Sequence, residues 1–196
     1  MGKKERLGDY RSKRDFSHTP EPSGGGKKSK KQPIFVIQKH DASNLHYDLR
    51  INIDGVLVSW AVPKGPSTDP KGKRLAMRTE DHPLEYADFE GVIPKGHYGA
   101  GTVMVWDTGT YRNLTEKDDQ EVPIARGLVE GHIAFWFEGR KLKGGYALTQ
   151  TGKGKKWLLV KIKDKEADAR RNPVSTQPNS VLSDRTLNEI SKEKHE

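Results

Sequence analysis

Apolar and polar side chains alternate along residues 34–63, and two turn signals divide this stretch into three predicted strands. Asp54-Gly55 is typical of a two-residue hairpin turn between alternating segments. All the apolar side chains that this turn pairs lie on one face, because residues of equal parity point to the same side of a strand. The pattern therefore predicts a sheet with one buried, apolar face. The predicted pairs are Ile53–Val56, Ile51–Val58, Leu49–Trp60 and Tyr47–Val62.

The polar residues of the first two predicted strands have the opposite parity. A straight strand would hold the two histidines among them roughly 20 Å apart, so a turn has to bring them together. A loop from Asp41 to Leu45 sets one histidine across from the other, whereas a four-residue loop puts them on opposite faces. We expect the first arrangement, or a bulge that compensates. The face then carries Gln38 across from Asp48, His40 across from His46, and Arg50.

Short alternating segments continue along the chain and predict a mainly β fold. A second polar face is predicted from Arg74, Arg78, Glu80 and His82, which share one parity, with Leu75, Met77 and Thr79 on the other side. Further strands are predicted at 102–106, 110–112, 132–138, 145–150 and 157–163, with the basic turn TGKGKK between the last two. Many short strands with little helix predict a compact antiparallel β-barrel of about eight strands with short peripheral helices.

The glycines and the C-terminal stretch complete the pattern. Gly96, Gly99 and Gly101 do not follow a strand and open a helix, so we interpret them as backbone bends rather than a phosphate-binding loop. Near the C-terminus, apolar residues are spaced for a short helix that Ser183 could cap. They are Leu182, Leu187 and Ile190, with Thr186 beside them.

Charge divides the chain into three parts. The 196 residues carry a net charge of +8, and residues 1–32 hold ten Lys or Arg against four Asp or Glu. We therefore predict a basic N-terminal arm and linker over 1–32, a barrel over 33–163 and a polar tail with a short helix over 164–196. Such an arm favours a polyanionic partner such as nucleic acid. The segment Tyr10–Pro22, with two aromatic residues among charges, could dock on the body of the protein.

The absence of cysteine restricts the chemistry. Disulfides, thiolate metal sites and cysteine nucleophiles are excluded, so a metal would need His, Asp or Glu ligands. The sequence has neither a membrane-spanning run nor the apolar segment of a signal peptide, which predicts a cytoplasmic protein. His40, His46 and Asp48 could hold a divalent ion, and the adjacent Arg50 suggests an anionic substrate such as a phosphate. The alternative is the plain polar outer face of a hairpin.

Several ordered stretches give the sequence a close resemblance to one family. They are YRSKRDFSHTPEP, FVIQKHDASNLHYDLR, WAVPKGPS, RTEDHPLEYADFEGVIPKGHYGAGTV and WLLVKIKD. Together they resemble the 3′-phosphoesterase domain of DNA ligase D, the end-joining ligase of bacteria and archaea. The resemblance implies a compact β-barrel that uses Mn²⁺, or another divalent metal such as Zn²⁺ or Co²⁺, to process DNA 3′ ends. Its members remove a terminal ribonucleoside and then the 3′-phosphate, leaving a 3′-hydroxyl.

The resemblance also implies roles for individual residues. It makes His40, His46 and Asp48 the metal ligands, and Arg50 and His82 the groups that hold the scissile phosphate. Further active-site positions are Gln38, Lys64, Arg74, Glu80 and Tyr86, and the resemblance matches Arg14, Asp15 and Glu21 to a segment needed mainly for ribonucleoside removal. The implied substrate is a primer-template whose 3′ end carries a phosphate or a ribonucleotide.

Other functions fit parts of the sequence. A non-catalytic nucleic-acid-binding barrel would grip DNA with its basic arm while Trp60, Trp106 or Trp136 stacked on bases. A small-molecule metalloenzyme would leave the lysine-rich arm unexplained. Ligase and polymerase domains do not fit in this length, so separate ligase and polymerase partners, or a longer parent chain, are expected. A monomer is the expected state.

Overall fold

A computed structural model describes residues 6–25 and 32–192. The strands are β1 Ile34–Asp41, β2 Leu45–Ile53, β3 Val56–Val62, β4 Lys73–Arg78, β5 Gly91–Ile93, β6 Gly101–Asn113, β7 Glu116–Lys117, β8 Gln120–Glu121, β9 His132–Gly139, β10 Lys143–Gln150 and β11 Lys156–Lys161. The helices are α1 Gly8–Ser12, a 3₁₀ helix Leu84–Asp88, α2 Ile124–Glu130, α3 Pro173–Thr176 and α4 Leu187–Ser191. Within these described parts, no helix has the length and apolar character that crossing a bilayer requires.

Eight strands close into an antiparallel barrel. Their order is β1-β2-β3-β4-β11-β10-β9-β6, and β6 returns to pair with β1. β5 adds to β6 outside this ring. Closure leaves none of the eight strands with a free edge, as the many short alternating segments require. The prediction of a mainly β protein built on a barrel of about eight strands is confirmed.

The register of the first three strands is the predicted one. The Asp54-Gly55 turn pairs Leu49 with Trp60, and the other three predicted pairs form as well. His40 lies across from His46, and Gln38 lies across from Asp48. The ladder runs one pair further than expected, to Asp41 and Leu45, so the turn itself is only three residues long. An odd-numbered turn keeps the two histidines on one face.

Two apolar clusters lie on opposite sides of the barrel wall. The larger cluster fills the interior with aromatic and branched side chains, including the fully buried Trp60 and Trp106. The smaller one covers the outer face of β1, β3 and β6 and contains Val36, Leu57 and Val105. Tyr10 and Tyr86 complete the outer cluster from the N-terminal segment and the 3₁₀ helix. Because this second layer covers the wall, polar groups on the outer face of β1 and β2 are buried too.

The face assignment in β4 is wrong. Ala76 is fully buried and pairs with the interior residue Trp157, whereas Leu75 is 44% exposed. Arg74 and Arg78 therefore share the parity of the interior and not that of a polar outer face. The interior position of this strand is occupied by the small Ala76, which packs beneath the large Trp157. The prediction placed the larger apolar residues Leu75 and Met77 on the buried face, and for that reason it chose the wrong side of the strand.

Three further expectations need correction. One 13-residue strand, β6, replaces the two predicted segments, and it bends through an irregularity in its pairing with β1. The final helix is capped by Thr186 and not by Ser183. Thr186 and Glu189 form a reciprocal capping box, while the Ser183 hydroxyl donates to Glu90. The β7–β8 hairpin and α2 were not predicted.

Candidate active site

Three side chains with metal-binding atoms meet on the outer face of β1 and β2. His40 Nδ1 lies 3.5 Å from Asp48 Oδ2, and His46 Nε2 lies 3.7 Å from Asp48 Oδ1. All three ligand atoms fall within 4.8 Å of one another. The predicted register produces this cluster, because residues paired directly across two strands point to the same side of the sheet.

The outer nitrogen of each histidine is held by a backbone carbonyl. His40 Nε2 donates to the Gly99 carbonyl and His46 Nδ1 donates to the Asn44 carbonyl, both at 2.9 Å. A carbonyl oxygen can only accept, so the proton is on the outer nitrogen and the inner nitrogen of the neutral ring presents a lone pair. Both inner nitrogens face Asp48 across gaps longer than a good hydrogen bond. Two nitrogen lone pairs and a carboxylate around one point fit a divalent cation.

Asp48 is ionised although it is buried. Burial would raise the pKa of its carboxyl group, but the Arg50 guanidinium and the two nearby imidazoles outweigh burial and leave the pKa lowered. Arg50 Nη2 donates to Asp48 Oδ2 at 3.0 Å. The carboxylate is therefore negatively charged over the whole physiological pH range.

Arg50 connects the candidate metal-binding cluster to the rest of the site. Its Nε donates to Gln38 Oε1 at 2.7 Å, and its Nη1 donates to His82 Nδ1 at 3.0 Å. The guanidinium lies over the Tyr86 ring, 4.9 Å from the centroid. Gln38 is held in turn by the carbonyls of Tyr86 and Phe89, so the 3₁₀ helix fixes the arginine through it. The arginine is pre-organised, because each of its three nitrogens has a partner.

His82 is buried between two guanidinium groups. Its Nδ1 faces Arg50, and its Nε2 lies 3.5 Å from Nη2 of Arg14. Burial, followed by the charges of Arg50 and Arg14, lowers the pKa of this imidazole well below its usual value of 6.5. The ring is therefore neutral at pH 7. A backbone bridge between His82 and Leu57 holds the residue against the end of the barrel wall.

The segment from Arg6 to Gly25 covers one side of the site. Arg14 donates from Nε to Glu21 at 2.9 Å and from Nη1 to Glu80 at 3.2 Å. The Tyr86 hydroxyl donates to the same Glu21 oxygen at 3.0 Å. Tyr10 is fully buried, with its ring 4.9 Å from that of His82. These contacts place the segment against the outer wall of the barrel beside the cavity.

An open cavity of about 210 Å³ lies between these groups. The metal-binding cluster is at one part of its wall and the Arg14–Glu80 pair at another. It is lined by Arg14, His40, Ala42, His46, Asp48, Arg50, Ala61, Thr79, Glu80, His82, Tyr86, Ile93, Tyr98 and Gly99. The structure thus brings together eight of the sequence-predicted residues, with Gln38 and Glu21 directly behind them.

The remaining three candidates lie elsewhere. Lys64 and Arg74 line a separate cavity of about 230 Å³ with Pro63, Lys73 and Leu75. Asp15 is exposed, and hydrogen bonds from Ser17 and His18 lower the pKa of its carboxyl group to about 2. Any role of these three in substrate binding stays a prediction.

Two contributors to the site were not predicted as such. Gly99, with φ of +77°, turns its carbonyl toward His40, a position that L side chains rarely adopt. Tyr98 is 48% exposed at the cavity, and its hydroxyl donates to Glu80 at 3.3 Å. Both lie in the glycine-rich GHYGAG stretch, and the glycines themselves were the available signal for a bend that approaches the site.

Comparisons with known proteins agree with this site. Residues 38–150 match the family model of the DNA ligase D 3′-phosphoesterase domain. The chain is 51% identical over 190 residues to the multifunctional non-homologous end joining protein LigD of Pseudomonas aeruginosa, covering 92% of the chain and 22% of that protein. The protein of the same name from Mycolicibacterium smegmatis is 47% identical over 163 residues, with 83% of the chain and 21% of that protein covered.

A third relative extends the same result. The multifunctional non-homologous end joining DNA repair protein LigD of Mycobacterium tuberculosis is 45% identical over 168 residues, covering 83% of the chain and 20% of that protein. The chain spans about a fifth of the length of these relatives. The family match includes every residue of the metal-binding cluster and its arginine. The chain belongs to the family of DNA ligase D 3′-phosphoesterase domains.

Proposed function

We propose that the chain is a metal-dependent phosphoesterase that processes DNA 3′ ends. It would remove terminal ribonucleosides and 3′-phosphates and leave a 3′-hydroxyl for end joining. The observation that carries the proposal is the meeting of a three-ligand metal cluster with Arg50 and His82 in one cavity. Family membership and the end-joining names of the relatives support the same reading.

Arg50 would bind the phosphoryl oxygens. A guanidinium has five N–H donors, and three of those of Arg50 are used by Gln38, His82 and Asp48. One hydrogen on each terminal nitrogen is left for an anion. Because the group is already fixed, it needs little reorganisation when negative charge develops on the phosphoryl oxygens.

His82 would protonate the leaving oxygen. The free protein keeps this ring neutral because two cations and burial disfavour the imidazolium. A phosphate bound against Arg50 brings negative charge to the ring and raises its pKa. In 3′-phosphate release, water supplies the oxygen that bonds to phosphorus while the bond to the 3′-oxygen breaks. The imidazolium can donate its proton to that 3′-oxygen, which would otherwise leave as an alkoxide. In ribonucleoside release the 5′-oxygen of the nucleoside would take the proton in the same way.

His40, His46 and Asp48 would hold the metal ion. A mixed set of imidazole and carboxylate ligands suits Mn²⁺, Zn²⁺ or Co²⁺. When bound, such an ion acts as a Lewis acid that neutralises charge on the phosphoryl group. The carbonyls of Gly99 and Asn44 keep both histidines in the tautomer that binding requires.

The N-terminal segment would act on the nucleoside side of the cavity. Arg14 connects Glu21 and Glu80, so losing it would free two carboxylates next to the substrate. We assign the arm of residues 1–32 to DNA binding, the body of residues 33–163 to catalysis, and the tail of residues 164–196 to neither. DNA ends are the proposed substrate, with a separate ligase and polymerase acting next. A cytoplasmic location and a monomeric state stay predictions.

The non-catalytic rival is less well supported. Trp60 and Trp106 are fully buried in the barrel interior, so neither can stack on a base. Trp136 is partly exposed, but the side chains of Arg112 and Lys165 lie over its ring, 5.4 and 6.0 Å from the centroid, where a base would have to stack. A binding barrel also gives no reason for two oriented imidazoles beside a carboxylate.

A labelled primer-template tests the proposal. One substrate ends in a 3′-phosphate and a second ends in a single ribonucleotide, and each is incubated with the protein in Mn²⁺ or in EDTA. We expect a 3′-hydroxyl end from both substrates in Mn²⁺ and unchanged ends in EDTA. Unchanged ends in both conditions, with DNA still bound, would favour the binding barrel.

A further inference from the structure

Positive charge is unevenly distributed in the barrel. Residues 33–138 carry 11 Lys or Arg against 16 Asp or Glu, whereas residues 139–162 carry seven Lys or Arg and no acid. The second range covers β10, β11 and the turn between them. An acid-free basic hairpin on an otherwise acidic barrel is typical of a surface that binds a polyanion.

The buried cations of this hairpin have structural roles. Lys161 is 1% exposed and donates to the carbonyls of Gly145 and Ile162 and to Asp164. Lys141 is 8% exposed and donates to the carbonyl of Gln177. The ammonium groups of these two lysines are buried and donate to acceptors inside the protein, so they do not contribute to a ligand-binding surface.

The turn TGKGKK, residues 151–156, is different. Its Lys153, Lys155 and Lys156 are exposed, and within residues 6–25 and 32–192 none of them has an ion-pair partner. An isolated lysine is a strongly hydrated point charge, and three of them within four residues are unfavourable to one another unless anions are near. The turn is therefore the part of the hairpin available to a ligand.

Two hydrogen bonds hold this turn in one shape. Thr151 N donates to the Lys156 carbonyl at 2.9 Å, and Nε2 of the Gln150 side chain donates to the Gly154 carbonyl at 2.6 Å. Gly152 and Gly154 have φ of +71° and +110°, and a Cβ added to either would meet no atom within 4 Å. The turn is thus ordered by its own bonds and projects into open space.

A backbone hydrogen bond and strand pairing connect the turn to residues that line the active-site cavity. Arg78 N donates to the Lys155 carbonyl at 2.8 Å, and the next residue, Thr79, lines the cavity. Met77 pairs with Ala61 on one side and Lys156 on the other, so the outer face of β4 connects the cavity wall to the turn. This stretch is open to solvent at Leu75, which is 44% exposed.

We infer that the 151–156 turn and the adjoining outer face of β4 bind the sugar-phosphate backbone of the DNA duplex behind the 3′ end. The inference rests on the proposed function, which places the terminal phosphate at Arg50. Neighbouring β-strands are about 4.8 Å apart. A DNA duplex that leaves the cavity across β4 would therefore bring its backbone phosphates to the turn within a few nucleotides of the 3′ end. Lysines bind the backbone phosphates, which are the same in every sequence, and do not distinguish bases. Such contacts suit an enzyme that accepts any DNA end.

Two double variants of equal charge test the inference. K153A/K155A removes two cations from the turn. K143A/K163A removes two exposed cations from the other end of the same hairpin and serves as the control. Binding of a labelled 3′-phosphorylated primer-template, and of the labelled strand alone, is measured in EDTA between 50 and 200 mM salt.

The salt dependence of duplex binding gives the result. The slope of log K against log salt is negative, and each lost phosphate contact reduces its magnitude by about 0.9, so K153A/K155A should reduce it by about 1.8. Over this fourfold rise in salt, the wild type should therefore lose about tenfold more affinity than K153A/K155A. The control should follow the wild type. Equal effects of both variants, or an equal effect on single-stranded and duplex DNA, would overturn the inference.

The same proteins separate this inference from the proposed function. The binding measurement uses no metal and no turnover, so it is informative even if the 3′ ends are never processed. A nucleoside 3′-monophosphate is too short to reach the turn, and both variants should hydrolyse it as fast as the wild type. Loss of that activity in K153A/K155A would show that the turn acts inside the cavity and would contradict the backbone-binding role.

Discussion

The Arg50 guanidinium and the Asp48 carboxylate are joined by a hydrogen bond of 3.0 Å between Nη2 and Oδ2. The two residues are neighbours on one face of β2, and both side chains are buried to more than nine-tenths. The residue that would bind the phosphate is thereby joined to a residue that would bind the metal. Each charge compensates the other in a setting where an unpaired charge is costly.

Two substitutions of Arg50 distinguish the effect of its positive charge from the effect of its planar arrangement of donors. Arg50→Lys keeps a cation beside Asp48, but one ammonium cannot also reach Gln38 and His82 in the planar arrangement of a guanidinium. We expect kcat for 3′-phosphate release to fall by about 10²- to 10³-fold. Arg50→Ala should in addition cost about 3 kcal/mol of unfolding free energy, because it leaves a buried carboxylate unpaired. Urea unfolding beside phosphate release measures both, and near-normal turnover in Arg50→Lys would argue against the assigned role.

Loss of Arg14 should affect the two activities unequally. Arg14 forms ion pairs with Glu21 and Glu80, and none of these three residues belongs to the His40, His46 and Asp48 cluster. We expect Arg14→Ala to slow removal of a terminal ribonucleoside by about tenfold more than release of a 3′-phosphate, a difference of about 1.4 kcal/mol in activation free energy. Arg11→Ala is the matched control, since Arg11 in the same segment is partly exposed and its side chain donates to the Ser23 carbonyl on the surface of the segment. Equal slowing of both reactions would contradict a role on the nucleoside side.

His82 should make stability depend on pH. Its pKa in the folded protein lies well below the usual 6.5, because burial and two guanidinium groups disfavour the imidazolium. The unfolded chain then binds the proton first as the pH falls below 6.5, so the contribution of His82 is present above that pH and lost below it. In EDTA, the unfolding free energy of the wild type should fall more steeply than that of His82→Gln as the pH drops from 6.5 to 5. The difference between the two slopes should reach up to about 1.4 kcal/mol per pH unit.

Urea unfolding at pH 7.5, 6.5, 5.8 and 5.0 checks this expectation. His132→Gln, at an exposed histidine that contacts Thr149, should keep the slope of the wild type. Curves for the wild type and His82→Gln that run parallel over this range would show that the imidazole is protonated as easily in the folded protein as in the unfolded chain.

Sequence alone predicted the local pairing of the site. The Asp54-Gly55 turn and strict alternation determine which residues of β2 and β3 oppose each other, and turn length determines that His40 faces His46. These features depend on residues close together in the chain. The resemblance to a family added Arg14, Glu80 and His82, which alternation could not have connected to Arg50.

Long-range packing was beyond reach. The Gly99 carbonyl that orients His40 comes from a residue 59 positions along the chain, and a backbone carbonyl has no signature in the sequence. The burial of Ala76 beneath Trp157 depends on a strand pair formed late in the chain. The outward-facing side chains of a barrel strand are usually exposed, but here an outer layer of residues buries those of β1 and β3. The alternation within each strand could not predict that layer.

The central claim is that His40, His46 and Asp48 hold one metal ion that the reaction needs, and the variant His46→Ala tests it most directly. Mn²⁺ titration by calorimetry and 3′-phosphate release are measured on the same preparations, with the melting temperature as the check on folding. The wild type should bind one equivalent of Mn²⁺ and release phosphate. His46→Ala should bind at least tenfold more weakly and release none, with little change in melting temperature, because its side chain is partly exposed. Undiminished Mn²⁺ binding and turnover in His46→Ala would contradict the account.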